Sequence, residues 1–294
     1  MRQMLSGALL SLLASAATAQ PQDADIHAWC NLVTLAIPQI KLKPCIAAGL
    51  MPSGALSVKG RHIMQREFKP AGEPSNAPRV LVLGGIHGDE LTATSIVFRW
   101  LELLQKIGGD DKQYHWLVIP VLNPDGLLAK PPTRVNARGI DLNRNFPTDN
   151  WLVDAPRYWQ QKTRRDPRRF PGTAPLSEPE SRWLHDELIR FKPDVIVSIH
   201  APYGVLDFDG PPTGVRAPTR FGRLHLNQVG VYPGSLGNFG SVKESIPVVT
   251  LELPHALKMP SEAELAAVWN DMQRWLKANI VAGKPQAAAL RATE

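Results

Sequence analysis

The chain has 294 residues, 44% of them hydrophobic and 20% charged, with a formal net charge of +6. That length and apolar content suit one large α/β domain, and they exclude a disordered or collagen-like chain. The positive excess is modest and no nucleic-acid-binding module accompanies it, so no nucleic-acid partner is expected.

The first elements are a basic start at Met1 and Arg2, a small apolar run from Met4 to Ala17, and the triplet Ala17-Thr18-Ala19. These are the parts of a secretory signal peptide over residues 1–19, cleaved near Ala19. The run is too short to span a bilayer, and no later stretch reaches the roughly 18 apolar residues a span needs. An exported protein, periplasmic or secreted, without a membrane span is therefore expected. Residues 20–56 form an N-terminal segment without clean periodicity. It holds the two cysteines, Cys30 and Cys45. An oxidising compartment makes a disulfide between them possible, with two buried thiols as the alternative.

Residues 57–282 read as one domain. Ser57 to Phe68 alternates as a strand pair turning at Gly60, and a strand from Val80 runs into Gly84-Gly85-Ile86-His87-Gly88-Asp89-Glu90. Leu91 to Ile107 has apolar residues at helical spacing, stopped by Gly108-Gly109. His115 to Val121 is the next strand, followed by turn chemistry at Asn123-Pro124-Asp125-Gly126. Residues 150–175 read as a long irregular rim or lid. Its basic cluster, Lys162 to Arg169, is either a solvated loop or a means of attracting an anionic surface. Ser177 and Glu180 have capping-box spacing and open a helix to Phe191. Val195 to His200 and Val248 to Leu253 are apolar strands. Ser261 and Glu264 form a second capping box, opening a helix to about Ile280, and residues 283–294 read as a flexible tail. Repeated strand–helix alternation predicts an α/β fold with a mixed, mostly parallel central sheet and helices on both faces.

Three of these strands end on residues that bind or serve metals: His87 and Glu90, His200, and Glu252. Residues distant in sequence meet at the carboxyl ends of strands in open α/β sheets. Two His and one Glu form the ligand set of a catalytic zinc, and the remaining Glu is then a candidate base. Glu90 alone has another reading, because acids favour the first turn of a helix. His27, His62, His115, His185, His225 and His255 read as ordinary surface or core histidines. A second polar concentration runs from Arg134 to Pro147. An arginine there can recognise a carboxylate or stabilise a developing oxyanion, and Asp141 can orient a ligating imidazole. A solvated polar loop is the alternative, preferred for Arg138.

Taken together, His87-x-x-Glu90, Asn123-Pro124-Asp125-Gly126, Gly139-Ile140-Asp141-Leu142-Asn143-Arg144-Asn145-Phe146, His200 and Thr250-Leu251-Glu252 resemble the zinc metallocarboxypeptidases of carboxypeptidase A type. The resemblance covers roughly residues 57–280. It implies one zinc ion on His87, Glu90 and His200, with Glu252 as general base. It also implies Arg134 at the oxyanion, Asn143 and Arg144 on the substrate's free carboxylate, and Asp141 behind the first His. Arg134 to Gly139, Asn145 to Trp151, Ser177 to Glu180 and Pro233 to Gly237 are most similar to the family's amidases. Those cut γ-D-glutamate from meso-diaminopimelate in cell-wall peptides, so a wall-derived peptide is the expected substrate. Two places depart. The amidases read His-Asp-Pro after the last ligand, where this chain has His200-Ala201-Pro202. Tyr232 lies near the tyrosine that closes over substrate in digestive carboxypeptidases, on a non-tyrosine position of the amidase pattern. The family bends sharply past its last ligand, so a cis Ala201–Pro202 peptide is expected. The other readings are a general carboxypeptidase, a deacylase of the aspartoacylase or succinylglutamate desuccinylase kind, and a silent wall-binding module. Oligomeric state is not legible.

Overall fold

Val195 to His200 is buried along its whole length, as a strand covered on both faces must be. It lies near the middle of a seven-stranded sheet. The strands are β1 (Met51–Leu56), β2 (His62–Phe68), β3 (Arg79–Leu83), β4 (His115–Ile119), β5 (Val195–His200), β6 (Val205–Asp209) and β9 (Val248–Glu252). Their order is β1-β2-β4-β3-β5-β9-β6. The four central strands run parallel, and β1, β2 and β6 pair antiparallel at the edges. A small hairpin, β7 (Arg220–Phe221) and β8 (Leu224–His225), stands apart. The helices are α1 (Pro21–Ala36), α2 (Leu42–Ala47), α3 (Leu91–Lys106), α4 (Pro124–Leu127), α5 (Trp151–Gln161), α6 (Pro179–Phe191), α7 (Leu236–Asn238) and α8 (Glu262–Asn279). This computed structural model describes residues 21–70, 72, 76–107, 113–210 and 214–280. The expected signal peptide and tail lie outside the described residues.

Alternation along each strand divides the core in two. Val80 and Val82 of β3 and Val195, Val197 and Ile199 of β5 face one side, packed with α1, α3 and α8. Leu81, Leu83 and Ile196 face the other, against Leu184, Leu188 and Phe191 of α6. Each fully buried Val, Leu or Ile contributes about 1.5–3 kcal/mol. Helices on both faces and a mostly parallel centre are the expected architecture.

Four local details differ from expectation. The hairpin turn spans 57–61, so its first strand is Met51–Leu56 and lies before Ser57. Of the segment 20–56, the described residues 21–56 supply α1, α2 and β1, and Trp29, Val33 and Ile37 join the main core. Cys30 and Cys45 are bonded and fully buried, tying α1 to α2. The stretch 150–175 begins with α5, which the sequence hid because Pro156 sits inside it and only Trp151 and Ala155 are buried. Ser177 does not cap α6. Glu178 takes that position without a side-chain cap, and Ser177 Oγ instead bonds the Glu178 carboxylate at 2.9 Å. The Ser261–Glu264 capping box forms as read.

Candidate active site

The Gly-flanked turn after β3 delivers His87 and Glu90 to the sheet's carboxyl edge. Gly88 abuts Gly126 so closely that a Cβ on it would sit 2.1 Å from a backbone carbon. Asn123 Oδ1 accepts from Gly126 N at 2.8 Å, closing that turn, and Asn123 Nδ2 donates to the Arg134 carbonyl at 3.2 Å. The Asn-Pro-Asp-Gly stretch therefore holds the turn that carries His87 and Glu90 close to Arg134. His200 and Glu252 end β5 and β9 as register partners. The Ala201–Pro202 peptide after His200 is cis, as expected.

Among the described residues, His87, Glu90 and His200 form the one group whose ligand atoms converge as a metal site requires, all within 4.8 Å. His87 Nδ1 lies 2.8 Å from Glu90 Oε1 and 3.1 Å from His200 Nδ1, and His200 Nδ1 lies 3.1 Å from Glu90 Oε2. Asp141 Oδ1 faces His87 Nε2 at 3.2 Å. A carboxylate there holds the proton on Nε2 and leaves the Nδ1 lone pair toward His200 and Glu90. Two imidazole nitrogens and a carboxylate facing one point are the donor set of zinc, so these residues fit that ion. Burial alone would raise the Asp141 carboxyl, but the Arg134 guanidinium and the His87 ring hold it well below its ordinary value.

Arg134 Nε donates to Asp141 Oδ2 at 2.9 Å, and its Nη1 lies 3.2 Å from His87 Nδ1 and 3.4 Å from Glu90 Oε1. The guanidinium thus stands beside the ligand cluster. Glu252 has one carboxylate oxygen, Oε2, buried with no hydrogen-bond partner. Burial pushes its carboxyl up, reinforced by the Glu90 charge and opposed by His200 and His87. A carboxylate with a raised pKa and an unengaged oxygen can act as a base.

Arg144 is only 5% exposed, and its Nε has no partner. Its Nη1 donates to the Asn143 carbonyl at 2.6 Å, and the Tyr232 ring lies 4.8 Å from its Cζ. Asn143 Oδ1 accepts from Leu236 N at 2.8 Å. Tyr232 turns its hydroxyl away, donating to the Val229 carbonyl at 3.1 Å, so it shelters Arg144 with its ring. All these groups except Asp141 line one cavity of about 640 Å³, rimmed by Arg168 and Arg169 of the basic cluster. Arg168 pairs with Asp89 at 2.8 Å, placing the stretch 150–175 beside the ligand turn. The remaining asparagines of the polar segment are fasteners. Asn136 donates to Glu178 at 2.7 Å, and Asn145 donates to the carbonyls of Pro171 and Ala174 at 2.8 and 2.9 Å.

Sequence reasoning missed Ser198, Thr250, Asp207 and Asp209, which also line the cavity. The signal for the first two was present. Ser198 and Thr250 lie two residues before His200 and Glu252, and alternate residues of a strand share a face. The acids of β6 had no such anchor.

The sequence profile described as zinc carboxypeptidase matches residues 52–207. Murein peptide amidase A of Escherichia coli K12 is 36% identical over 129 residues, 43% of this chain and 50% of that enzyme. The chain thus spans half the length of that relative. Murein peptide amidase A of Vibrio campbellii is 31% identical over 191 residues, 64% of this chain and 73% of that enzyme. The crystal structure of murein-tripeptide amidase from Escherichia coli O157 superposes with a TM-score of 0.52 at 23% identity, covering 75% of this chain and 89% of that one. That likeness speaks for the fold alone. Among the described residues no helix is long and apolar enough to cross a membrane. By the profile match, this chain belongs to the zinc carboxypeptidase family.

Proposed function

We propose that the chain holds one zinc ion on His87, Glu90 and His200 and hydrolyses an amide bond next to a free carboxylate. The bond proposed is that between γ-D-glutamate and meso-diaminopimelate in murein peptides, met outside the inner membrane after loss of residues 1–19. One observation carries the reading: the ligand cluster, the unengaged Glu252 oxygen and the under-partnered Arg144 line a single cavity. The relatives named murein peptide amidase A support the choice of substrate.

Bound zinc supplies Lewis acidity, which brings the pKa of water toward neutrality and polarises a carbonyl. The chain's residues do the rest. Arg144, short of partners, binds the substrate's free carboxylate with Asn143, and so selects which bond reaches the cluster. Glu252 takes the proton of the attacking water and passes it to the leaving amine. The Arg134 guanidinium stabilises the oxyanion as charge develops. Asp141 fixes the His87 ring, and Tyr232 shields Arg144 from water.

The test is incubation of the zinc-loaded protein with L-Ala-γ-D-Glu-meso-diaminopimelate and with ordinary C-terminal dipeptide substrates, products read by mass. Release of diaminopimelate from the first and slower cleavage of the second is expected. Cleavage of the ordinary substrates alone would replace the amidase reading with a general carboxypeptidase.

A further inference from the structure

Arg144 ends a short helical turn, Leu142–Arg144, and its guanidinium is buried with little to hold it. Nη1 donates to the carbonyl of the preceding residue and Nε has no partner, so neither ties the side chain to a distant element. The edge made by Nε and Nη2 is the one left for a carboxylate. A long side chain so weakly tied has rotamers to lose when a ligand arrives, and that loss weakens binding. Whatever orders the guanidinium beforehand therefore matters to the site.

The ordering comes from α5. Trp151, Ala155 and Tyr158 stand at i, i+4 and i+7, which is one face of that helix. Trp151 is buried, and its Nε1 donates to the Arg144 carbonyl at 2.9 Å. About two turns further on, the Tyr158 ring meets the Tyr232 ring edge-on, with centroids 5.5 Å apart at 60°. Tyr232 in turn covers the guanidinium, its ring centroid 4.8 Å from Cζ. The Tyr232 hydroxyl reaches only the Val229 carbonyl, three residues back on its own loop, where Val229 and Val231 are exposed. That loop's backbone is anchored at Gly234, whose carbonyl accepts from Phe146 N at 3.0 Å. The tilt of the Tyr232 ring is left to its neighbour on α5.

We infer that Tyr158 is a positioning residue for the carboxylate clamp: by bracing the Tyr232 ring it holds the Arg144 guanidinium with its Nε edge open to the substrate's free carboxylate. The inference rests on the clamp reading above and adds a residue that does not itself line the cavity. A cation is attracted to the face of an aromatic ring, so a ring free to tilt holds it less well. An edge-to-face partner fixes that tilt. Ordering the guanidinium in advance lowers the cost of binding in the ground state and the transition state alike, so the effect falls on KM and not on kcat. The contact is made by the ring, so phenylalanine serves at 158 as well as tyrosine does. On this account α5 acts on the site from behind, through Trp151 on the Arg144 backbone and Tyr158 on its side chain.

The experiment measures kcat and KM of wild type, Tyr158→Ala and Tyr158→Phe on L-Ala-γ-D-Glu-meso-diaminopimelate, with the carboxylate beside the scissile bond free or amidated. Tyr158→Ala is expected to raise KM for the free acid about three- to tenfold, with kcat within about twofold, and to leave the amidated peptide unchanged. Tyr158→Phe is expected to match the wild type. Should the alanine variant fail to fold, Tyr158→Leu takes its place, since it fills the position without a ring. An unchanged KM for the free acid, or equal losses on both peptides, overturns the inference and leaves the hydrolase reading standing. A wild type that cuts both peptides equally, or neither, removes the clamp reading instead. The bracing of Arg144 is then decided without turnover, by hydrogen exchange at its Nε–H in protein carrying isotope-labelled arginine, the signal identified by its loss in Arg144→Ala. Faster exchange in Tyr158→Ala but not in Tyr158→Phe upholds the brace, and equal exchange overturns it.

Discussion

Replacing Asp209 with asparagine changes one atom and removes one proton equilibrium from the cavity floor. In the folded protein the Asp209 carboxyl is raised from its ordinary 3.8 to about 7, first by burial and then by the Asp207 charge. The unfolded chain has no such environment, so its Asp209 ionises near the ordinary value. Between about pH 4 and pH 7 the folded state therefore holds a proton that the unfolded state has lost. Stability from this group falls as pH rises through that window, by up to about 1.4 kcal/mol per pH unit, and is constant above it. The full loss is about 4 kcal/mol. The cavity admits solvent to the carboxyl, which reduces the expected loss to about 2 kcal/mol. Asparagine carries no charge at any of these pH values. Urea unfolding followed by circular dichroism at pH 5, 6, 7 and 8 should show Asp209→Asn gaining on the wild type step by step, to about 2 kcal/mol at pH 8. Stability curves that run parallel across this range would refute the reasoning, because they would mean that Asp209 ionises in the fold as easily as in water.

Three further expectations concern the site and the scaffold. Glu252→Gln keeps size and hydrogen bonding but removes the base, so zinc content measured by atomic emission should persist while turnover falls about 10²–10⁴-fold; wild-type turnover would move the base role to another group. Arg144→Ala should mainly raise KM and Arg134→Ala mainly lower kcat, since the first interaction exists in the ground state and the second strengthens as charge develops. Amidating the substrate's free carboxylate should weaken the wild type strongly and the Arg144 variant little further, and equal cleavage of both substrates by the wild type would exclude a carboxylate clamp. Replacing Cys30 and Cys45 together by alanine opens a loop with a sequence separation of 15. It should cost about 3 kcal/mol in denaturant unfolding, and an unchanged midpoint would show that packing of α1 alone secures the segment.

The central strands and the His87, Glu90 and His200 cluster were legible because their signals are short-range. Val195 to His200 is apolar but for Ser198 up to its final His, and His87 and Glu90 stand in a glycine-rich turn whose single apolar residue, Ile86, does not account for them. Elements that depend on distant partners were not. α1 carries Ile26, Cys30 and Val33 at helical spacing, continued by Ile37 just past its end, a pattern that was available but broken up by exposed Leu32 and Leu35. Ser177 lost its capping role to a tertiary contact: Asn136 draws the Glu178 carboxylate inward, and Asn145 Nδ2 donates to Ser177 Oγ at 3.1 Å. Asp207 and Asp209 stand in no motif that the sequence alone marks. Only the pairing of β6 with β9 shows that they lie behind Glu252.

The sheet's register, which pairs His200 with Glu252, also governs what can change in the cavity without disturbing them. His200 and Glu252 sit at strand ends, whereas positions 207 and 209 belong to a neighbouring strand and successive rows below them. A rigid sheet transmits little of a substitution two residues away to the catalytic row. Exchanging an acid at 207 or 209 for a small, apolar or basic residue therefore changes the cavity floor while leaving His200 and Glu252 in place. Gly237 is the exception, since the room it leaves Asp209 vanishes with any side chain. A glycine is needed at 237 only for as long as a carboxylate stands opposite it.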